Sequence, residues 1–186
     1  MRGEVAGLQG LVAALPTSKK LVLAFSGTAS GEQAMQDMKF WQMLYPFQHN
    51  TSSKTPAYVH SGFWRMYVGV RSHAMQKLRL ALEQHEVEEI IFTGHSMGSI
   101  MVYYLLLELL DPDPEADVVR IPVGIRLKLA VFGSPRGGNI GLLECWEERL
   151  KLWRSNQGDA SLVEYSVKGY NDGTCDHLSP RWAPNS

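Results

Sequence analysis

Ser96 carries the clearest chemical signal in this chain. It stands in Gly94-His95-Ser96-Met97-Gly98, a G-x-S-x-G pentapeptide within EIIFTGHSMGSIMVYYLLLELL (89–110). A serine hydroxyl is a poor nucleophile until a neighbouring base takes its proton. A sharp strand-to-helix turn can present such a serine. Small residues on both flanks let strand and helix come close, and the strained backbone lifts the hydroxyl above a sheet. The helix that follows offers unpaired N–H groups and a positive dipole end, both suited to an oxyanion. The plain alternative is a Gly-rich turn with an incidental serine. Such turns also cradle phosphates, but neither G-x-G-x-x-G nor G-x-x-x-x-G-K-[ST] occurs here.

The elements around Ser96 must supply that geometry. Lys20–Phe25 (KLVLAF) reads as a buried-type strand running into Ser26-Gly27-Thr28. Gly31–Leu44 is Met-rich and amphipathic, with Ala34, Met35, Met38, Trp41 and Met43 near one helical face, which predicts a helix. Pro46–Pro56 is turn-rich and predicts a loop. Gly62–Gln84 has the strongest helical period, through Phe63, Met66, Tyr67, Val70, Ala74, Leu78, Ala81 and Leu82. Glu88–Thr93 predicts the strand before the serine turn, and the helix behind it runs to Leu110, where Asp111-Pro-Asp-Pro stops it. Ile125–Phe132 predicts a strand, Ile140–Trp153 a helix with Leu142, Leu143, Trp146 and Leu150 inward, and Ser161–Tyr170 a last strand. Strands alternating with helices predict an α/β fold with a small, mainly parallel sheet flanked by helices. Its edges are expected to be bare, which predicts a chain prone to associate.

The chain has 186 residues, room for one domain. Its formal net charge of −1 gives no electrostatic footprint for nucleic acid. The two cysteines, Cys145 and Cys175, have no metal-ligand spacing and leave a pairing between them open. The first twenty residues resemble a signal peptide only faintly, since Glu4 and Gln9 interrupt the apolar segment. The compartment stays open.

Five ordered segments together resemble the class 3, fungal-type lipases of the α/β-hydrolase superfamily. They are LVLAFSGT (21–28), VHSGF with Tyr67 (59–67), TGHSMG (93–98), VFGSPRGGN (131–139) and YNDGTCDHLSP (170–180). The resemblance implies a single class 3 lipase-like α/β-hydrolase domain over 1–186, truncated at both ends. It implies Ser96 as nucleophile, the backbone N–H groups of Met97 and Thr28 as oxyanion donors, and Asp172 as the acid that orients the base. It also implies a lid in the segment after Thr28, a lipid or small ester as substrate, transient contact with a lipid interface, and no metal or organic cofactor.

The chain departs from the family pattern in several places. Asp176 is a rival to Asp172, because Cys175 and Asp176 disturb the spacing of that segment. Ser26 and Ser99 replace a usual arginine and a usual second glycine. The family's histidine follows its acid by a further strand and loop, whereas only 14 residues follow Asp172. His177 is the in-chain alternative. His95 adjoins the serine on a turn that would point the two apart, His60 sits in a structural motif, and His49, His73 and His85 read as solvated or packing residues. Two other readings therefore stand beside the lipase: a catalytically silent lipase-like domain lacking the triad histidine, and an esterase for non-lipid esters such as feruloyl esters.

Overall fold

The computed structural model describes residues 8–27, 41–47, 54–111, 113 and 118–168. In chain order the elements are β1 (Gly10–Leu15), β2 (Lys20–Phe25), β3 (Gln42–Leu44), β4 (Tyr58–His60), α1 (Ser61–Gln84), β5 (Glu89–His95), α2 (Met97–Leu109), β6 (Arg126–Phe132), α3 (Ile140–Gln157) and β7 (Leu162–Val167). The main sheet has the spatial order β1-β2-β5-β6-β7. β2, β5, β6 and β7 run parallel, and β1 pairs antiparallel with β2. β3 and β4 form a separate antiparallel pair.

The expected α/β architecture is present, with two corrections. The sheet has a fifth strand, β1, in a segment where the sequence suggested none. Its run GLVAAL is too rich in small residues to read as a strand, and its pairing with β2 settles it. The hairpin closes through Pro16–Ser18 and Lys19, which sits in the left-handed region at φ 52. The second correction concerns the helix expected over 31–44. Gln42–Leu44 is strand, paired with Tyr58–His60, and residues 28–40 lie outside the described part. Burial there alternates with period two: Met43 is half-buried between exposed Gln42 and Leu44, and Trp41 is 72% exposed. Cross-strand pairing overrides the helical spacing of these few residues.

α2 is the centre of the molecule. All thirteen of its residues are buried, which its nearly continuous apolar sequence requires. It packs on β5 and β2 and against α1. α1 turns Phe63, Met66, Tyr67, Val70, Ala74 and Leu78 inward, as the period predicts, and α3 buries Leu142 and Trp146. The sheet face beneath the helices is dry: Leu21, Leu23, Ile90, Phe92, Leu129 and Val131 are 0% exposed. The strands alternate, however. Val22, Ala24, Ile91, Thr93, Ala130 and Val163 are half-buried, and Leu11, Leu15, Phe132, Tyr165 and Val167 are exposed. The register places these residues together on the opposite face, so the described helices cover one side of the sheet.

His60 links β4 to α1. Its Nδ1 accepts from the N–H groups of Gly62 (3.2 Å) and Phe63 (3.4 Å), capping the helix. Burial holds its pKa below the ordinary 6.5. A protonated Nδ1 would donate rather than accept, so the cap belongs to the neutral ring. With the folded pKa below the unfolded one, this stabilisation is complete above pH 6.5 and is lost as pH falls through the lower folded value. His60→Ala should lose about 1 kcal/mol at neutral pH. The gap from the parent should narrow in urea titrations at acid pH; a gap that widened there would contradict the neutral cap.

Candidate active site

The parallel strands β2, β5 and β6 end side by side, and Ser96 lies at the tip of β5. Its backbone has φ 52 and ψ −125, the first central position of a type II′-like turn, which glycine normally fills. The Ser96 N–H donates to Phe132 O at the tip of β6 (2.8 Å), and the Ser99 N–H donates back to Ser96 O (3.0 Å). α2 begins at Met97, so the Met97 N–H is the first amide of a helix and has no intrahelical acceptor. The positive end of the helix dipole meets the serine there.

The flanking glycines are required by contact. A Cβ on Gly94 would sit 2.5 Å from the backbone of Gly98, and one on Gly98 would sit 2.4 Å from Phe25 O. These two positions pull β5, α2 and the end of β2 together. A Cβ on Gly27 would lie 3.2 Å from His95 Nδ1 and 3.5 Å from the Ser96 side chain. The loop leaving β2 therefore runs directly beside the serine, and Thr28 is its next residue. Thr28 itself lies outside the described residues, as do Asp172, Asp176, His177, Cys175 and most of the segment read as a lid.

β7 brings the chain to the same edge of the sheet. Val167 pairs with Phe132, which pairs with His95, and the Gly133 N–H donates to Val167 O (2.8 Å). Two strand spacings separate β7 from β5, about 10 Å. Asp172 is five residues beyond Val167.

The described histidines take other places. His95 is exposed on the last residue of β5, His73 is exposed on α1, His85 follows α1, and His60 is committed to its cap. Cys145 is buried, and burial pushes its thiol pKa up.

The glycine-rich segment after β6 serves packing. Gly138 bridges to Val59, and the Gly137 carbonyl accepts from the His60 N–H (2.8 Å) and the Tyr104 hydroxyl (2.6 Å). Asn139 caps α3: its Oδ1 accepts from Leu142 N–H (3.1 Å) and Tyr58 N–H (2.8 Å), while its Nδ2 donates to Pro56 O (2.9 Å). Sequence reading singled out this motif without its role. The signal for the role was Asn just before an apolar helix.

A mainly parallel sheet, a serine at positive φ after a central strand, and a helix starting directly behind it define an α/β-hydrolase fold. The pattern of the family Lipase (class 3) matches residues 22–159. The chain belongs to that family. It is 28% identical over 133 residues to the lipases of Rhizopus niveus and Rhizopus oryzae, covering 70% of this chain and 30% of theirs. Lipase II from Rhizopus niveus superposes with a TM-score of 0.72 at 22% identity, covering 97% of this chain and 59% of that one. The Rhizomucor miehei lipase in its native propeptide complex gives 0.70 at 21%, covering 97% and 50%. This chain thus spans 30% of the length of the Rhizopus relatives and between half and three-fifths of these two structures.

Proposed function

We propose that this chain is the Ser96-bearing part of a carboxylic ester hydrolase of the triacylglycerol-lipase type. The observation that carries the reading is Ser96 at φ 52, between β5 and the first amides of α2. Ser96 Oγ attacks the ester carbonyl as a base removes its proton. The carbonyl oxygen becomes an oxyanion facing the Met97 N–H, with the Thr28 N–H as second donor on the loop that passes Ser96. The alcohol leaves with the proton. Water then attacks the acyl-serine, giving the carboxylic acid and free Ser96. Asp172, with Asp176 as its rival, orients the base; β7 ends at the serine's edge of the sheet, five residues before Asp172, which supports that assignment.

The base is the open role. Among the described residues no imidazole is placed to serve it; His49 and His177 lie outside them, and His177, which follows the proposed acid, is the in-chain candidate. The same observation favours a second reading, a lipase-like domain that is silent by itself, since a triad without its base keeps only weak residual catalysis.

Hydrolysis of p-nitrophenyl butyrate by the parent, Ser96→Ala and His177→Ala separates these readings. Turnover that falls by about a thousandfold in Ser96→Ala supports the serine mechanism. A matching fall in His177→Ala assigns the base. Equal background rates in all three proteins establish the silent domain. Emulsified tributyrin against methyl ferulate then distinguishes a lipid ester from a feruloyl substrate.

A further inference from the structure

Ser99 lies three residues past the proposed nucleophile and is 0% exposed. Its Oγ stands 3.0 Å from Gly94 O and 3.2 Å from Phe132 O, so a single hydroxyl proton is shared between carbonyls on two different strands. Both carbonyls border the turn, one at the end of β5 and one at the tip of β6. Gly94 is the last small residue before His95-Ser96, and Phe132 O already accepts the Ser96 N–H at 2.8 Å. The Ser99 N–H closes the turn onto Ser96 O at 3.0 Å. Ser99 thus holds three backbone groups that set the position of Ser96: the carbonyl two residues before it, its own carbonyl, and the acceptor of its own amide. Its side chain contributes two of those links.

We propose that Ser99 is a positioning residue for the Ser96 site, a hydroxyl clamp that fixes the turn against the tips of β5 and β6. The inference deepens the ester-hydrolase reading and rests on it. The Ser96 backbone occupies a sparsely populated conformation, and such conformations persist only where surrounding contacts over-determine them. A buried hydroxyl bridging two strand ends is such a contact. Without it the turn can relax, which moves the Ser96 Oγ and the Met97 N–H relative to each other. Ground-state binding of an ester involves neither bridge, so the effect falls on the reaction step.

Phosphonylation of Ser96 by an alkyl fluorophosphonate, which expels fluoride, gives the test. Rates are compared for the parent, Ser99→Ala, Ser99→Gly and Ser99→Cys, with amide hydrogen exchange followed at 94–99 and along the rest of α2. Ser99→Ala and Ser99→Gly should label about tenfold more slowly. Ser99→Cys, nearly isosteric with a weaker donor, should recover part of the rate. Exchange should quicken at 96–99 and stay unchanged from 101 to 109. Labelling of Ser99→Ala at the parent rate overturns the proposal. So does exchange that quickens uniformly along α2 with a matching loss of thermal stability, which marks an ordinary packing role. If the parent itself fails to label, the ester-hydrolase reading falls. Exchange at 96–99 then decides alone: local quickening in Ser99→Ala keeps the clamp, and no change removes it.

Discussion

Ser96→Gly should make this protein about 1 kcal/mol more stable while removing the hydroxyl of the proposed nucleophile. A non-glycine residue in such a conformation stores roughly 1–3 kcal/mol of strain. Glycine releases that strain, because it has no Cβ to clash at φ 52. It also makes the unfolded chain more flexible, which takes back up to about 1 kcal/mol. The net gain should raise the melting temperature by about 2–4 °C for a chain of this size. Ser96→Ala keeps the Cβ and the strain, so it should unfold close to the parent. The pair isolates the backbone term, since both variants lose the hydroxyl and only one loses the Cβ. A Ser96→Gly protein less stable than Ser96→Ala in urea would show that the strain at this residue is smaller than glycine's entropy cost of up to about 1 kcal/mol. The opposite order would show that the fold holds a reactive geometry against its own stability.

Arg149→Met should destabilise the chain by about 3–5 kcal/mol, the range for stripping one partner from a buried ion pair. Arg149 is 3% exposed and Asp111 is 4% exposed, with Arg149 Nη2 2.8 Å from Asp111 Oδ2. The guanidinium also donates to Leu107 O, Phe47 O and the Tyr45 hydroxyl. The Leu107 carbonyl belongs to the last turn of α2, where carbonyls lack intrahelical partners and the dipole is negative. In a wholly buried helix no water is at hand to satisfy them. Arg149 does so from α3 and fastens the segment 45–47 to the same point. Methionine fills similar volume but leaves the Asp111 carboxylate and these acceptors without their donor.

The paired variant Arg149→Met with Asp111→Asn removes the orphaned charge and keeps an acceptor for the Asp113 N–H, which now donates to Asp111 Oδ1 at 3.0 Å. It should recover at least about 1 kcal/mol relative to Arg149→Met alone. Additive losses in that cycle would show that the ion pair is worth nothing beyond its separate hydrogen bonds.

Where sequence was a good guide, local chemistry and tertiary demand agreed. KLVLAF, the run before Ser96 and the period of α1 each fit their place in the sheet or against it. Gly94 and Gly98 were legible as close-approach positions because the pentapeptide implies a strand and helix in contact. Arg149 was not legible. It falls one turn after Cys145 and Trp146 on the inward stripe of α3, and a lone cation there reads as a solvated edge until its partners on α2 and the 45–47 segment are known. Ser99 read as a departure from the family pattern, since two carbonyls on separate strands cannot be seen from one residue's neighbours in sequence. β3 and β4 pair across a long loop and β1 pairs through a hairpin that its small residues do not announce, so spacing alone misread β3 and left β1 and β4 unassigned. Of the residues assigned to the site by resemblance, Ser96 and Met97 fall within the described structure. Thr28 and Asp172 lie beyond it, and their roles stay with the proposed mechanism.

Among the described residues the two faces of the sheet differ, and the one away from the helices joins apolar residues to the ion cluster of Lys20, Glu89 and Lys128. On one side three helices keep water away from the strands. On the other, Leu11, Leu15, Phe132, Tyr165 and Val167 stand 44–55% exposed over a half-buried floor of Val22, Ala24, Ile91 and Ala130. Each square ångström of apolar surface withdrawn from that side yields roughly 25 cal/mol. The association expected from bare strand edges would draw on these apolar residues as well. Along the strands that face runs from charged at Lys20, Glu89 and Arg126 to apolar at Phe132 and Val167, so water meets it unevenly.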